Sequence, residues 1–194
     1  MGRTAEFERD LVLEQAMEVF WERGYYGSSI GDLKSAMGLN PGSIYAAFGS
    51  KEKLLLACLE HYSSMAQARF RDIERSSSSA KEAFLKIFDS IINQMDSEQT
   101  CRGCLIINTL LELASHEGAG GSAARQYLET NREIFSEILE DAKITGELKS
   151  SRPVDEIAAF LLGTVFSLRV MGKAKAEKET LESIRDQSLN QVFG

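Results

Sequence analysis

The chain has 194 residues, 43% of them hydrophobic and 26% charged, the balance of a globular protein and not of a disordered one. A formal net charge of −7 excludes a uniformly basic coat for nucleic acid but leaves local patches open. No apolar run approaches the roughly 20 residues that span a bilayer, and the N-terminus lacks the apolar core of a secretory signal, so a cytoplasmic protein without membrane attachment is expected.

In chain order, Val12, Leu13, Ala16, Met17, Val19 and Phe20 recur at helical spacing, with Glu8, Glu14, Glu18 and Glu22 opposite them, predicting a helix from about Glu6 to Arg23. Gly24 stands where a left-handed residue ends it. After Tyr25–Ser29, Ile30, Leu33 and Met37 predict a short second helix closed by Gly38. Leu39 plugs the turn, and Asn40-Pro41 opens a third helix with a capping side chain followed by proline at the first helical position. That helix ends at Gly49. Ser50 caps a long fourth helix reaching about Arg75, before the Ser76–Ser79 linker. Further helices are expected at about 80–96, 104–115, 122–145, 154–171 and 177–192, separated by Gly103, the Gly118–Gly121 run, Gly146, Pro153 and Gly172. The expectation is an all-α protein of about nine helices, with a head over 1–50 and a helical regulatory domain over 51–194.

The informative unit runs from Ser28 to Phe48: two short helices joined by Gly38-Leu39-Asn40, a glycine-containing turn of the length that a DNA-reading pair uses. Ile30, Leu33, Leu39, Ile44 and Phe48 can form a small core with the first helix. The start of the third helix, at Asn40, Gly42 and Ser43, is then small and polar enough to enter a major groove about 12 Å wide. The stretches Gly24-Tyr25, Ser28-Ser29-Ile30, Asp32-Leu33, Ala36-Met37-Gly38-Leu39, Gly42-Ser43-Ile44-Tyr45, Phe48, Ser50-Lys51-Glu52 and Leu54 resemble the N-terminal signature of the TetR family of transcriptional regulators, over roughly residues 9–60. The resemblance implies a DNA-binding regulator, most simply a repressor released from a pseudo-palindromic operator by a small-molecule effector. It implies that Ser28 or Ser29 touches a phosphate at the start of the second helix. Asn40, Pro41, Gly42 and Ser43 would face base edges or the adjacent backbone. Tyr45 and Lys51 would each reach a phosphate. Each residue also has a plainer reading: Tyr45 as a core aromatic, Lys51 as a solvated charge, Asn40 as a cap. Ala46 and Ala47 stand where many members carry larger residues, so readout there can only be apolar, against a thymine methyl.

Residues 1–53 carry six basic and eight acidic side chains, so few cations are available to displace counterions and a moderate salt dependence is expected. Beyond the head, Leu161, Leu162, Val165, Leu181 and Ile184 mark two apolar C-terminal helices. They suit either an internal core or a four-helix bundle between two copies, and a homodimer would set two reading helices about one DNA turn apart. Cys104, Asn108 and Glu112 share one stripe of an otherwise apolar helix. With Phe88, Met95, Leu111 and Phe166 they form a candidate effector pocket, the alternative being a polar seam against solvent or a neighbouring helix.

Cys101-Arg102-Gly103-Cys104 invites a thiol sensor of oxidants or electrophiles. As a zinc site it is incomplete, even with His116 added. No nucleotide-binding glycine loop or hydrolytic triad is visible, so neither catalysis nor a cofactor is expected. A helical adaptor without DNA binding is the remote alternative.

Overall fold

The computed structural model describes residues 2–95, 102–114 and 118–194, with side chains from Arg9 onward except that of Met95. Among these residues there are nine helices and no strand: α1 (Gly2–Gly27), α2 (Ile30–Met37), α3 (Pro41–Phe48), α4 (Lys51–Arg75), α5 (Ala80–Met95), α6 (Leu105–Leu113), α7 (Ala119–Ile144), α8 (Val154–Lys173) and α9 (Lys178–Phe193). None of them is long and apolar enough to cross a membrane. The all-α expectation holds.

Local chemistry sets most boundaries. Gly24 (φ 72) bends α1 where the sequence placed its end. Ser29 and Asp32 close a reciprocal capping box at the start of α2, and Gly38 (φ 63) ends it in the left-handed region that glycine enters at no steric cost. Asn40 Oδ1 accepts the Ser43 N–H at 2.9 Å, and Pro41 follows at the first helical position of α3. The expected break over Gly118–Gly121 is narrower than the glycines suggested, since α7 begins at Ala119. Gly120 and Gly121 are inside the helix for packing. A Cβ on Gly120 would lie 2.7 Å from Leu113 Cδ1, and one on Gly121 would lie 3.1 Å from the Leu113 carbonyl oxygen.

The chain forms two compact units, Met1–Met65 with Leu105–Tyr127, and Ala66–Cys104 with Leu128–Gly194. In the first unit, α1 buries Leu13, Ala16, Met17 and Phe20, and the start of α4 buries Leu54, Leu55, Cys58 and Leu59. Remote carboxylates finish it: Glu52 accepts the Ala119 N–H at the start of α7. The second unit has its own core from α5, α7, α8 and α9, in which Phe84 meets Phe135 edge-on at 5.0 Å. There Glu147 accepts the N–H groups of Ala80 and Lys81, which no turn of α5 can satisfy.

Candidate nucleic-acid interface

Helices α2 and α3 pack through Leu33, Met37 and Ile44, all buried. The helical period then turns the other side of α3 to solvent. Asn40, Pro41, Gly42, Ser43, Ala46 and Ala47 are exposed, and Tyr45 is 48% exposed. Tyr45 is therefore no core aromatic. Asn40 is a cap, as its oxygen is bound by Ser43, while its amide nitrogen takes no part in that bond. Gly42 fits this cap because a Cβ there would crowd Asn40 Oδ1 at 3.2 Å.

Ser28 and Lys51 behave differently from their expected outward roles. Ser28 is 4% exposed and its hydroxyl donates to the Gly24 carbonyl. Lys51 donates to the Ser28 carbonyl and holds its Nζ 4.4 Å from the centre of the Tyr25 ring. Burial holds the Lys51 ammonium below the usual lysine range, against the pull of Glu112 and Asp32. Lys51 thus ties the loop between α1 and α2 to the start of α4, while the Ser28 hydroxyl ties it back to α1. Ser29 is exposed, but its hydroxyl and N–H serve Asp32, whose carboxyl these bonds hold below the usual range, with Arg23 adding to the effect. The exposed basic side chains of the head are accordingly few, with Lys34 on α2 and Lys53 on α4 among them.

The candidate pocket residues fall in both compact units. Phe88 is wholly buried in the core of the second unit, and Phe166 packs against that core. The Met95 side chain lies outside the described residues. Cys104 and Asn108 are half-buried, whereas Leu111 is 71% exposed. The reason is register: α6 buries Leu105, Ile106, Ile107, Thr109 and Leu113, leaving Leu111 on the opposite side. Glu112, on the same stripe as Cys104 and Asn108, contacts the end of α1 instead. A cavity of about 610 Å³ lies in the second unit between the start of α8 and the end of α9, and none of these candidates lines it. Sequence reasoning missed Asn131, 7% exposed on α7, whose Oδ1 has no hydrogen-bond partner among the described residues. An amide inside an apolar helix face was the signal available.

Most of the expected dimer residues are taken up within their own chain. Leu161, Leu162, Val165 and Leu181 are 0–8% exposed and belong to their own chain's core, with Ile184 packed against it. The apolar surface of α8 is on its other side, at Phe160 (46% exposed), Val170 (51%) and the exposed Ala159 and Gly163. No atom comes within 4 Å of a Cβ built on Gly163. The strongest apolar residues had marked the core, and the weaker stripe was left outside.

Cys101 and His116 lie outside the described residues, so the Cys-x-x-Cys is represented by Cys104 alone, just before α6. No group of three or more His, Cys, Asp or Glu side chains able to hold a metal occurs among the described residues.

Comparison with known proteins agrees with this geometry. Residues 12–58 match the family model of bacterial regulatory proteins of the tetR family, and residues 80–187 match that of the tetracyclin repressor-like C-terminal domain. The HTH-type transcriptional regulator YezE of Bacillus subtilis is 31% identical over 191 residues, covering 98% of each chain. The HTH-type transcriptional repressor ComR of Escherichia coli is 28% identical over 97% of this chain and 90% of its own. Among solved structures, a cysteine mutant of the TetR family regulator CifR complexed with double-strand operator DNA aligns over 94% of this chain and 95% of that one, with 32% identity and a TM-score of 0.82.

Proposed function

Given that the chain belongs to the TetR family of bacterial regulatory proteins, we propose that it reads its operator with the exposed side of α3. It is a DNA-binding transcriptional regulator that acts as a homodimer and responds to a small molecule. The observation that carries the assignment of the reading surface is the exposure of Asn40, Pro41, Gly42, Ser43 and Tyr45 on one side of a helix whose other side is buried at Ile44. A helix entering the major groove needs that asymmetry. Tyr45 donates its hydroxyl to a phosphate, and Ser43 and the Asn40 amide reach base edges or the backbone beside them. Ser29 approaches a phosphate at the start of α2. Ser28 and Lys51 support the loop behind them.

The partner copy docks on α8 through Ala159, Phe160, Gly163 and Val170, where a glycine between larger residues permits close helix approach. The effector enters the apolar core of the second unit, where a donor on the small molecule satisfies the orphaned Asn131 oxygen. Its binding favours the released state, since a ligand moves an equilibrium only by its preference for one state. The protein carries out no catalysis and works in the cytoplasm beside the chromosome. Selection of duplexes from a randomised pool by the full chain, followed by a screen for small molecules that release the winner, tests the whole reading. Enrichment of a two-fold-symmetric site is expected, and absence of any enrichment refutes it.

A further inference from the structure

The bend at Gly24 (φ 72, ψ 177) interrupts the ladder of α1. The two N–H groups that start the next turn, those of Tyr25 and Tyr26, donate to Oε2 and Oε1 of Glu112 at 2.8 Å each. The fit leaves no slack: a Cβ on Gly24 would sit 2.6 Å and 2.9 Å from those same oxygens. On the far side of the loop, Lys51 binds the Ser28 carbonyl and covers the Tyr25 ring. The next residue, Ser29, is the cap from which α2 starts. One carboxylate on α6 therefore grips the segment that decides where the helix-turn-helix pair begins.

We propose that Glu112 is the positioning residue through which α6 sets the pose of α2 and α3 for operator binding, a role that rests on the DNA-binding reading above. Its geometry makes it sensitive to small movements. A displacement of α6 by about 1–2 Å away from the bend in α1, the size of helix shifts in switching proteins, takes both oxygens out of hydrogen-bond range. The Tyr25 and Tyr26 amides at the end of α1 then lose their carboxylate acceptor, and α3 loses its fixed approach to the groove. Because Glu112 faces backbone and not solvent-side DNA contacts, it acts on specific recognition without touching the operator.

The test compares the full-length wild type with Glu112→Gln and Glu112→Ala, using the enriched duplex and a random-sequence duplex as probes. In the alanine variant, affinity for the enriched duplex falls about tenfold, the scale of one charge-assisted hydrogen bond. Random-duplex binding, dimer formation and the melting midpoint stay near wild type. The glutamine variant, which keeps one carbonyl acceptor, falls in between. Unchanged specific affinity overturns the proposal. So does a parallel loss of specific affinity, random-duplex affinity and melting midpoint, because Glu112 would then be only a structural cap. Amide hydrogen exchange in the wild type gives a second reading if the alanine variant fails to fold. Tyr25 and Tyr26 amides are expected to be protected and to exchange faster in Glu112→Gln, and unprotected wild-type amides overturn the proposal. A wild type that enriches no duplex defeats the DNA-binding reading and this role together, a result distinct from all the others.

Discussion

On the proposed reading surface of α3, most of the exposed side chains are small. Gly42, Ser43, Ala46 and Ala47 offer no guanidinium, carboxylate or carboxamide, so beyond Asn40 and Ser43 the apolar feature of a base edge available to them is the thymine methyl. Replacing thymine by uracil in an enriched half-site is expected to weaken binding several-fold at one or two positions, and Ala46→Gly or Ala47→Gly to abolish that difference. Indifference to the methyl at every thymine would refute this. Tyr45→Phe is expected to weaken all duplexes alike without altering stability, as a phosphate contact does. Cys58 makes the opposite case. It is wholly buried, its thiol points at the Leu13 carbonyl, and burial pushes its pKa up to about 12. Native protein at neutral pH is expected to leave Cys58 unalkylated, with labelling appearing only on unfolding. The outward roles of Asn40, Gly42, Ser43 and Tyr45 could be proposed from sequence because the apolar period of α3 decides which side is out. The inward turn of Ser28 and Lys51 could not, because a short polar segment has no period and its partners come from three different elements.

At the scale of elements, caps and glycines made the helices legible. Asn40-Pro41, Gly38 and Gly49 bracket α3 by local rules alone. What stayed hidden were helix starts capped from a distance, such as Glu147 on α5 and Glu52 on α7, since nothing near those starts announces the acceptor. The glycine run before α7 misled for a related reason: Gly120 is there for space against Leu113 and Leu55, not for a turn. Gly120→Ala should therefore cost roughly 1–3 kcal/mol by overpacking even though alanine favours helices, measurable by chemical unfolding. Glu82 gives a pH prediction at the start of α5. Its bonds with Lys86 and Ser78 hold its carboxyl down to about 2 from an ordinary 4.5. A carboxylate with a depressed folded pKa supports stability above its unfolded value and loses that support as pH falls through the folded one. Glu82→Gln should thus differ from wild type at neutral pH and converge with it between pH 4.5 and about 2.

For the whole molecule, the proposed dimer surface is the side of α8 that its own core does not use. Phe160→Glu and Gly163→Leu are expected to yield folded monomers that bind operator far more weakly, because a single head lacks the second half-site. Leu161→Glu should unfold the chain, as Leu161 is wholly buried. Light scattering with circular dichroism separates the two classes, and a dimeric Phe160→Glu would refute the assignment. A last consequence lies in the discontinuous make-up of the first unit, where residues 105–127 complete a head begun at the N-terminus. Splicing heads between relatives is a natural way to rewire promoters. A graft cut after residue 50 or 65 would leave behind the native Glu112 and the Leu113–Gly120 contact. A functional chimera of this protein must carry two pieces of the donor gene, and a one-piece exchange should give a protein that folds around its old effector while recognising neither promoter well.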